Sequence, residues 1–129
     1  MDERNLPDLE KAVISYLKAL TGKRVLTGVP DPRPLTFVRV MSTGGGTRNR
    51  VQISPTLLVE VWGTKNAEGG DPRPLLKQVW EALGALAESD ALESVQVMRA
   101  SCTVPANYPD EASGSPRYTF LLSMIVNTN

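Results

Sequence analysis

The fold is decided by residues 35–62, which read LTFVRVMSTGGGTRNRVQISPTLLVEVW. Residues 35–41 and 51–62 are rich in β-branched and aromatic side chains, which suit the pleated surface of a strand. The nine residues between them, 42–50, include three consecutive glycines and no acidic side chain. Because glycine holds no fixed backbone conformation by itself, we expect a hairpin whose strands are joined by a long, mobile loop.

Two amphipathic helices are predicted on either side of this hairpin. Apolar residues recur at helical spacing over about 5–21 and again over about 72–88. Asn5 is the expected cap of the first helix, since a side-chain oxygen there can accept a free backbone N–H. Each helix has one apolar stripe and one polar face, so both are expected to pack on the sheet.

Three more segments have the composition of strands, and they lie at 25–27, 95–104 and 117–126. The last of these alternates without a gap, which predicts a central position in the sheet. The order strand, helix, strand between residues 61 and 92 suggests a βαβ crossover, although the sequence leaves the relative direction of the two strands open.

The expected fold class is therefore α+β, with a mixed, mainly antiparallel sheet of about five strands packed with two main helices. We expect a single domain over residues 1–129, with long loops at 42–50, 63–70 and 105–116.

Composition excludes several classes of function. The net charge is zero, from 14 basic and 14 acidic residues, which argues against a general binder of nucleic acid or membrane surfaces. Cys102 is the one cysteine and there is no histidine, so an internal disulfide, a Cys/His zinc site and a histidine-based triad are all excluded. The charged N-terminus predicts neither a signal peptide nor a membrane span. We expect no catalytic, metal or cofactor-binding residue, and no enzyme.

The glycine run and the acidic loop do not alter this expectation. Gly44-Gly45-Gly46 lacks the lysine of a phosphate-binding loop and leads into a strand rather than a helix. Asp110 and Glu111 are adjacent carboxylates on one loop, whereas hydrolytic pairs face each other across a cleft. A solvated turn explains them.

The candidate functional residues are therefore those suited to contact with protein partners. Arg39 and Glu60 fall in mid-strand, where they either pair across the hairpin or meet a neighbouring subunit together with Trp62. The other candidates lie in the two loops that carry separated charge, and they are Arg48, Asn49, Arg50, Tyr108 and Asp110.

Several blocks of sequence together resemble one family. They are PRPLTFVRV at 32–40, TGG at 43–45 followed by Arg48-Asn49, PTLLVEVW at 55–62, NYPD at 107–110 and SGSPRY at 113–118. In this order and spacing, and with the opening helix, they are similar to the tail terminator proteins of long-tailed siphophages, particularly those that infect actinobacteria. The resemblance covers essentially the whole chain, and no single block is diagnostic.

The resemblance implies an α+β subunit that assembles into a six-membered ring, a homohexamer. Such a ring caps the phage tail tube, ends its polymerisation and presents the docking surface for the head connector. The implied partners are other copies of the chain, the major tail tube protein and the head-completion or stopper protein. DNA passes through the lumen without sequence-specific binding, and no membrane is involved. The implied location is the tail-neck junction of a virion assembled in the host cytoplasm.

Two alternatives stay open at this stage. One is another neck component, such as a head-completion or stopper protein. The other is a small α+β enzyme, because such folds host many unrelated functions.

Overall fold

The structure, a computed structural model, describes residues 6–89, 91–92 and 95–128. These residues form three helices and six strands. In chain order they are α1 (Leu9–Thr21), β1 (Val25–Leu26), β2 (Phe37–Thr47), β3 (Gln52–Trp62), α2 (Arg73–Gly84), α3 (Leu86–Ser89), β4 (Val97–Cys102), β5 (Ala106–Asn107) and β6 (Arg117–Asn127).

All six strands belong to one sheet, in the order β1, β2, β3, β6, β4, with β5 paired to a further part of β6. Among the hydrogen-bonded strand pairs of the described residues, β1 and β2 are parallel and the other pairs are antiparallel. The predicted α+β class and the central position of the last strand are confirmed. Because β3 and β4 both run against β6, they are parallel to each other. The segment through α2 and α3 is thus the predicted crossover, with β6 inserted between the strands it connects.

The helices cover one face of this sheet and bury the core. Val13 and Leu17 of α1 and Val79 and Leu83 of α2 are fully buried, as their helical spacing predicts. They pack against every second residue of the three long strands, which are Val38, Val40, Leu57, Val59, Val61, Phe120, Leu122, Met124 and Val126. Because side chains alternate along a strand, the residues between these point to the opposite face.

The first helix begins later than its sequence pattern suggested. Asp8 caps it, since the Asp8 carboxylate accepts the backbone N–H of Lys11 at 3.0 Å. Gly22 ends it in the left-handed conformation, with φ of +67°. The predicted cap, Asn5, lies outside the described residues. The predicted second helix is divided at Ala85, where the backbone N–H turns to the carbonyls of the preceding turn.

The glycine run is not a loop, and that prediction was wrong. Residues 42–47 continue β2 and pair with β3, so that Gly44 faces Thr56 and Gly45 faces Pro55. Gly45 has φ of +120°, and a Cβ there would overlap the carbonyl oxygen of Ser54 and lie 2.8 Å from the Cα of Pro55. Glycine is therefore what lets the two backbones approach. The connection between the strands is only the short turn at 48–51.

The predicted loop at 105–116 also contains regular structure. Ala106 and Asn107 form β5, which pairs with Thr119 and Tyr118 of β6. In the region predicted as a strand over 95–104, the observed β4 occupies the shorter range Val97–Cys102. Residues 63–70, by contrast, contain no helix or strand among the described residues.

Candidate subunit interfaces

Arg39 and Glu60 pair with each other across the hairpin. They lie directly opposite in the register of β2 and β3, and the Arg39 guanidinium is 3.2 Å from Glu60 Oε1. Arg39 Nε also donates to the carbonyl oxygen of Thr27 at 2.9 Å. The Glu60 side chain is only 8% exposed, so a carboxylate at this position requires a hydrogen-bond donor such as Arg39. Of the two readings left open by the sequence, the structure shows the intramolecular pair.

Trp62 lies at the centre of a stack that we call the tryptophan cluster, made of Arg33, Phe37, Trp62, Tyr108 and Arg117. Phe37 stacks on the indole with ring centroids 5.3 Å apart, and Trp62 Nε1 donates to Glu60 Oε1 at 3.1 Å. The guanidinium carbons of Arg33 and Arg117 lie 5.5 and 5.0 Å from the indole centroid. Cation–π contacts of this kind are favourable, and they leave Trp62 only 3% exposed.

The loop that follows β5 is held to this cluster by Arg117. Its guanidinium lies over the Tyr108 ring at 5.4 Å, and its Nε donates to the Tyr108 carbonyl oxygen at 2.9 Å. Asp110 is 3.7 Å from the same guanidinium. The Ser113 hydroxyl and backbone N–H both donate to the Asp110 carboxylate, and these bonds, together with Arg117 and Arg33, hold the pKa of Asp110 below its usual value. Asp110 therefore orders its own loop, while Tyr108 is 59% exposed.

The turn at 48–51 carries the remaining candidates at the opposite end of the hairpin. Asn49 shapes the turn, because its Oδ1 accepts the N–H of Val51 at 2.9 Å and its Nδ2 donates to Gln52 Oε1 at 3.2 Å. Arg48 and Arg50 are both exposed on this turn. The predicted candidates are thus not one site. Arg39, Glu60 and Trp62 contact one another near one end of the strands, where Glu60 and Trp62 are buried. Residues 48–50 lie at the other end.

The sequence reasoning missed a surface on the face of the sheet that the helices leave uncovered. Met41, Leu58 and Leu121 lie side by side on three adjacent strands of that face. Leu121 is 38% exposed, and Met41 and Leu58 are partly exposed. The signal was present in the sequence, since both faces of the strand pattern are apolar. The pattern alone does not reveal which face the helices cover.

An open groove of about 610 Å³ runs between residues 64–73 and the loop after β5. Its lining includes Asp71 and Arg73, which form an exposed ion pair at 2.9 Å. The bond from Arg73 lowers the pKa of Asp71. In the part of the chain that the structure describes, no three acidic or cysteine side chains come together as a metal site requires. Nor is any described helix long and apolar enough to cross a membrane.

Comparison with known proteins shows a likeness among solved structures. No family model matches the chain, and no curated protein matches its sequence. Among solved structures, a chain of the "Virion of native gene transfer agent (GTA) particle" superposes with a TM-score of 0.65 at 18% sequence identity. The match covers 92% of this chain and 94% of that one. The two chains therefore share their fold over nearly their whole length.

Proposed function

We propose that this chain is a structural protein of a phage-like virion, where copies of it form a ring that caps the tail tube. The ring ends tube polymerisation, offers the docking surface for the head connector and lets DNA pass through its lumen. The observation that carries the proposal is the shared fold with a chain of a gene transfer agent virion, over nearly the full length of both. The block-by-block resemblance to siphophage tail terminators supports the finer assignment.

The distribution of exposed residues agrees with a ring placed between two different partners. A ring between tube and connector needs a separate contact surface on each side. Arg48, Asn49 and Arg50 lie at one end of the long strands, and Tyr108 lies near the other. In our proposal these two ends contact the neighbouring rings. The contacts of Arg39, Glu60, Trp62 and Asp110 stabilise the strands and the loop after β5 within each copy.

Loss of the gene tests the ring's role in the particle. Without this chain, electron microscopy of lysates is expected to show overlong tails, or tails and filled heads that remain separate. Complementation with the intact gene should restore joined particles of normal tail length. Heads that leak DNA, beside tails of normal length, would instead identify a stopper protein. Normal joined particles in the absence of the chain would contradict both assignments.

Charge reversal at the turn tests the proposed contact more locally. Arg48→Glu, alone and combined with Arg50→Glu, is expected to lower the yield of joined particles because a positive contact becomes negative. The matched control is Lys77→Glu, an equal charge change on an 80% exposed side chain of α2 rather than at either end of the long strands. The purified variants should unfold like the parent chain. A normal yield of joined particles from the double variant would refute this role of the turn.

A further inference from the structure

At one end of the long strands, which we call the closed end, short strands cover both edges of the sheet. At the other end, the open end, these edges have no strand partner among the described residues. At the closed end, paired residues form a continuous row across the sheet, which runs Val25, Val38, Val61, Tyr118, Asn107. Its outer members belong to β1 and β5, the two short strands that cover the edges of β2 and β6. The last row that contains β1 and β5 is the next one, which runs Leu26, Arg39, Glu60, Thr119, Ala106. Beyond it, the outer edges of β2 and β4 have no strand partner among the described residues.

β1 pairs only with Val38 and Arg39, and the Glu10 carboxylate accepts the backbone N–H of Ser42. The part of β2 beyond these contacts is residues 43–47, which we call the glycine edge. Arg48 donates its backbone N–H to the Gln52 carbonyl at 3.0 Å. Because bonded and non-bonded pairs alternate along an antiparallel ladder, Thr47 and Gly45 turn their N–H and C=O groups away from β3. All residues of this edge are exposed. It contains no proline and no charge, the usual devices that protect an edge from pairing.

The outer side of β4 also lacks a strand partner among the described residues, although this strand carries Arg99 and its Ala100 and Cys102 are only partly exposed. Thr103 donates its backbone N–H to the Leu121 carbonyl at 3.0 Å, so the same alternation turns the polar backbone groups of Cys102 and Ala100 away from β6. Met98 beside them is 49% exposed. In the part of the chain that the structure describes, the sheet therefore has two backbone edges without a strand partner, on its opposite sides.

The two free edges lie at the same height along the strands. Cys102, Leu122, Leu57 and Ser42 form one row of paired residues across the sheet. A second row joins Val97, Val126, Ile53 and Thr47. A rotation about an axis along the strands would therefore bring the β4 edge of one copy beside the glycine edge of the next, without a shift along the axis.

Strand direction favours the same contact. β2 and β6 run one way, while β3 and β4 run the other. In a cyclic arrangement all copies keep their direction relative to the axis, so β4 of one copy is antiparallel to β2 of its neighbour. The antiparallel ladder is the slightly more stable of the two types. Glycines in an exposed strand also permit close approach of another backbone.

We infer that neighbouring copies of this chain join by antiparallel pairing of β4 in one copy with the glycine edge in the next. The contact is heterologous, as a closed ring requires, and each copy contributes one edge and accepts the other. This inference rests on the proposed ring, since it names the contact that joins its subunits. Backbone bonds supply the attraction, as in other cases of strand addition.

Proline substitutions test the backbone bonds directly. Thr47→Pro and Ala100→Pro each remove an N–H that points away from the chain's own sheet, and proline is tolerated at such edge positions. We expect both variants to need about a tenfold or higher concentration to assemble, as measured by light scattering. The matched controls, Thr47→Ala and Ala100→Ser, keep the N–H and should assemble like the parent chain. Equal assembly of the proline variants would overturn the inference.

A disulfide tests the same contact without disturbing the backbone. Because Ser42 and Cys102 lie in one row, the proposed pairing places Ser42 of one copy beside Cys102 of the next, at the distance of neighbouring strands, where a disulfide fits. Ser42→Cys should therefore give a ladder of covalent multimers on mild oxidation. The oxidation is best done at alkaline pH, because burial raises the pKa of Cys102 to about 11 and the thiolate is the reactive form. Adding Cys102→Ser should abolish the ladder, and Ala112→Cys on a distant exposed loop should not produce it.

The two proposals fail in distinguishable ways. If rings form and tails end normally while Ser42→Cys gives no ladder and the proline variants assemble, this edge contact is wrong and the proposed function stands. If the parent chain stays monomeric at every concentration and its loss leaves joined particles unchanged, the proposed function fails and the edge contact fails with it.

Discussion

The two ends of the β2–β3 hairpin differ in what holds them. At one end, Phe37 stacks on Trp62, two arginines from distant segments contact the Trp62 ring, and short strands cover the sheet edges. At the other end, Gly44 and Gly45 leave almost no side chains, and the outer backbone of β2 is exposed. Buried side chains stabilise the first end within one copy. The second end has little to bury by itself, so its free backbone groups suit a contact between copies.

The largest loss of stability is expected when Trp62, the centre of the tryptophan cluster at the first end, is removed. Trp62→Ala removes a side chain that is 3% exposed, and we expect a loss of about 4 kcal/mol in the free energy of unfolding. Chemical denaturation measures this loss. Trp62→Phe should keep the stacking but lose the bond from Nε1 to Glu60, at a cost of about 1 kcal/mol. Equal losses in the two variants would contradict a role for the ring stack.

A single added methyl group should distinguish the glycines of the second end. Gly45→Ala forces a side chain against the backbone of β3 at positive φ, and we expect a loss of about 3 kcal/mol. Gly46→Ala is the matched control, since a Cβ there has no heavy atom within 4 Å. Its effect should stay below about 1 kcal/mol. If both changes were equally harmless, the close approach of β2 and β3 at Gly45 would be wrong.

The Arg39–Glu60 ion pair at the first end should contribute more to the stability of the fold than an ion pair on the surface. Glu60→Gln weakens the acceptor for Arg39 and Trp62 in a nearly buried position, and we expect a loss of about 2 kcal/mol. The control is Glu81→Gln, which breaks an exposed pair with Lys77 and should cost less than about 0.5 kcal/mol. Thermal unfolding of the two variants side by side makes the comparison. A larger loss at Glu81 would refute it.

The smallest effect concerns the thiol on the β4 edge and appears as a pH dependence. Burial raises the pKa of Cys102 from 9.0 to about 11, so near pH 8 iodoacetamide should react on the order of a hundredfold more slowly with the folded chain than with the unfolded chain. The raised pKa favours the folded state below about pH 9, and this contribution is lost as the pH rises through 11. An alkylation midpoint near pH 9 in the folded chain would contradict the burial.

Sequence patterns predicted those parts of the fold that depend on local periodicity. The uninterrupted alternation of Tyr118, Phe120, Leu122 and Met124 predicted the central strand, and the apolar stripes predicted both helices. The glycine run was misread because low strand propensity was taken to mean mobility. Its pairing comes instead from the opposite strand, since only glycine fits against Ser54 and Pro55.

The candidate interface residues were likewise predicted only in part. A pair between Arg39 and Glu60 was one of two interpretations that the sequence left open, because the two residues lie in mid-strand on the two arms of one hairpin. The burial of Trp62 against two arginines was not predicted, because Arg33 and Arg117 come from segments that are far apart in the chain. The alignment of the free edges depends on the register of four strands, which no local pattern specifies.

The most direct test of the proposed function is the place and copy number of this chain in the purified particle, determined by cryo-electron microscopy. We predict one closed ring between the tail tube and the head connector, in which β4 of each copy continues into β2 of the next. Absence of the chain from the particle, or copies spread along the tube or the head shell, would contradict the proposed function.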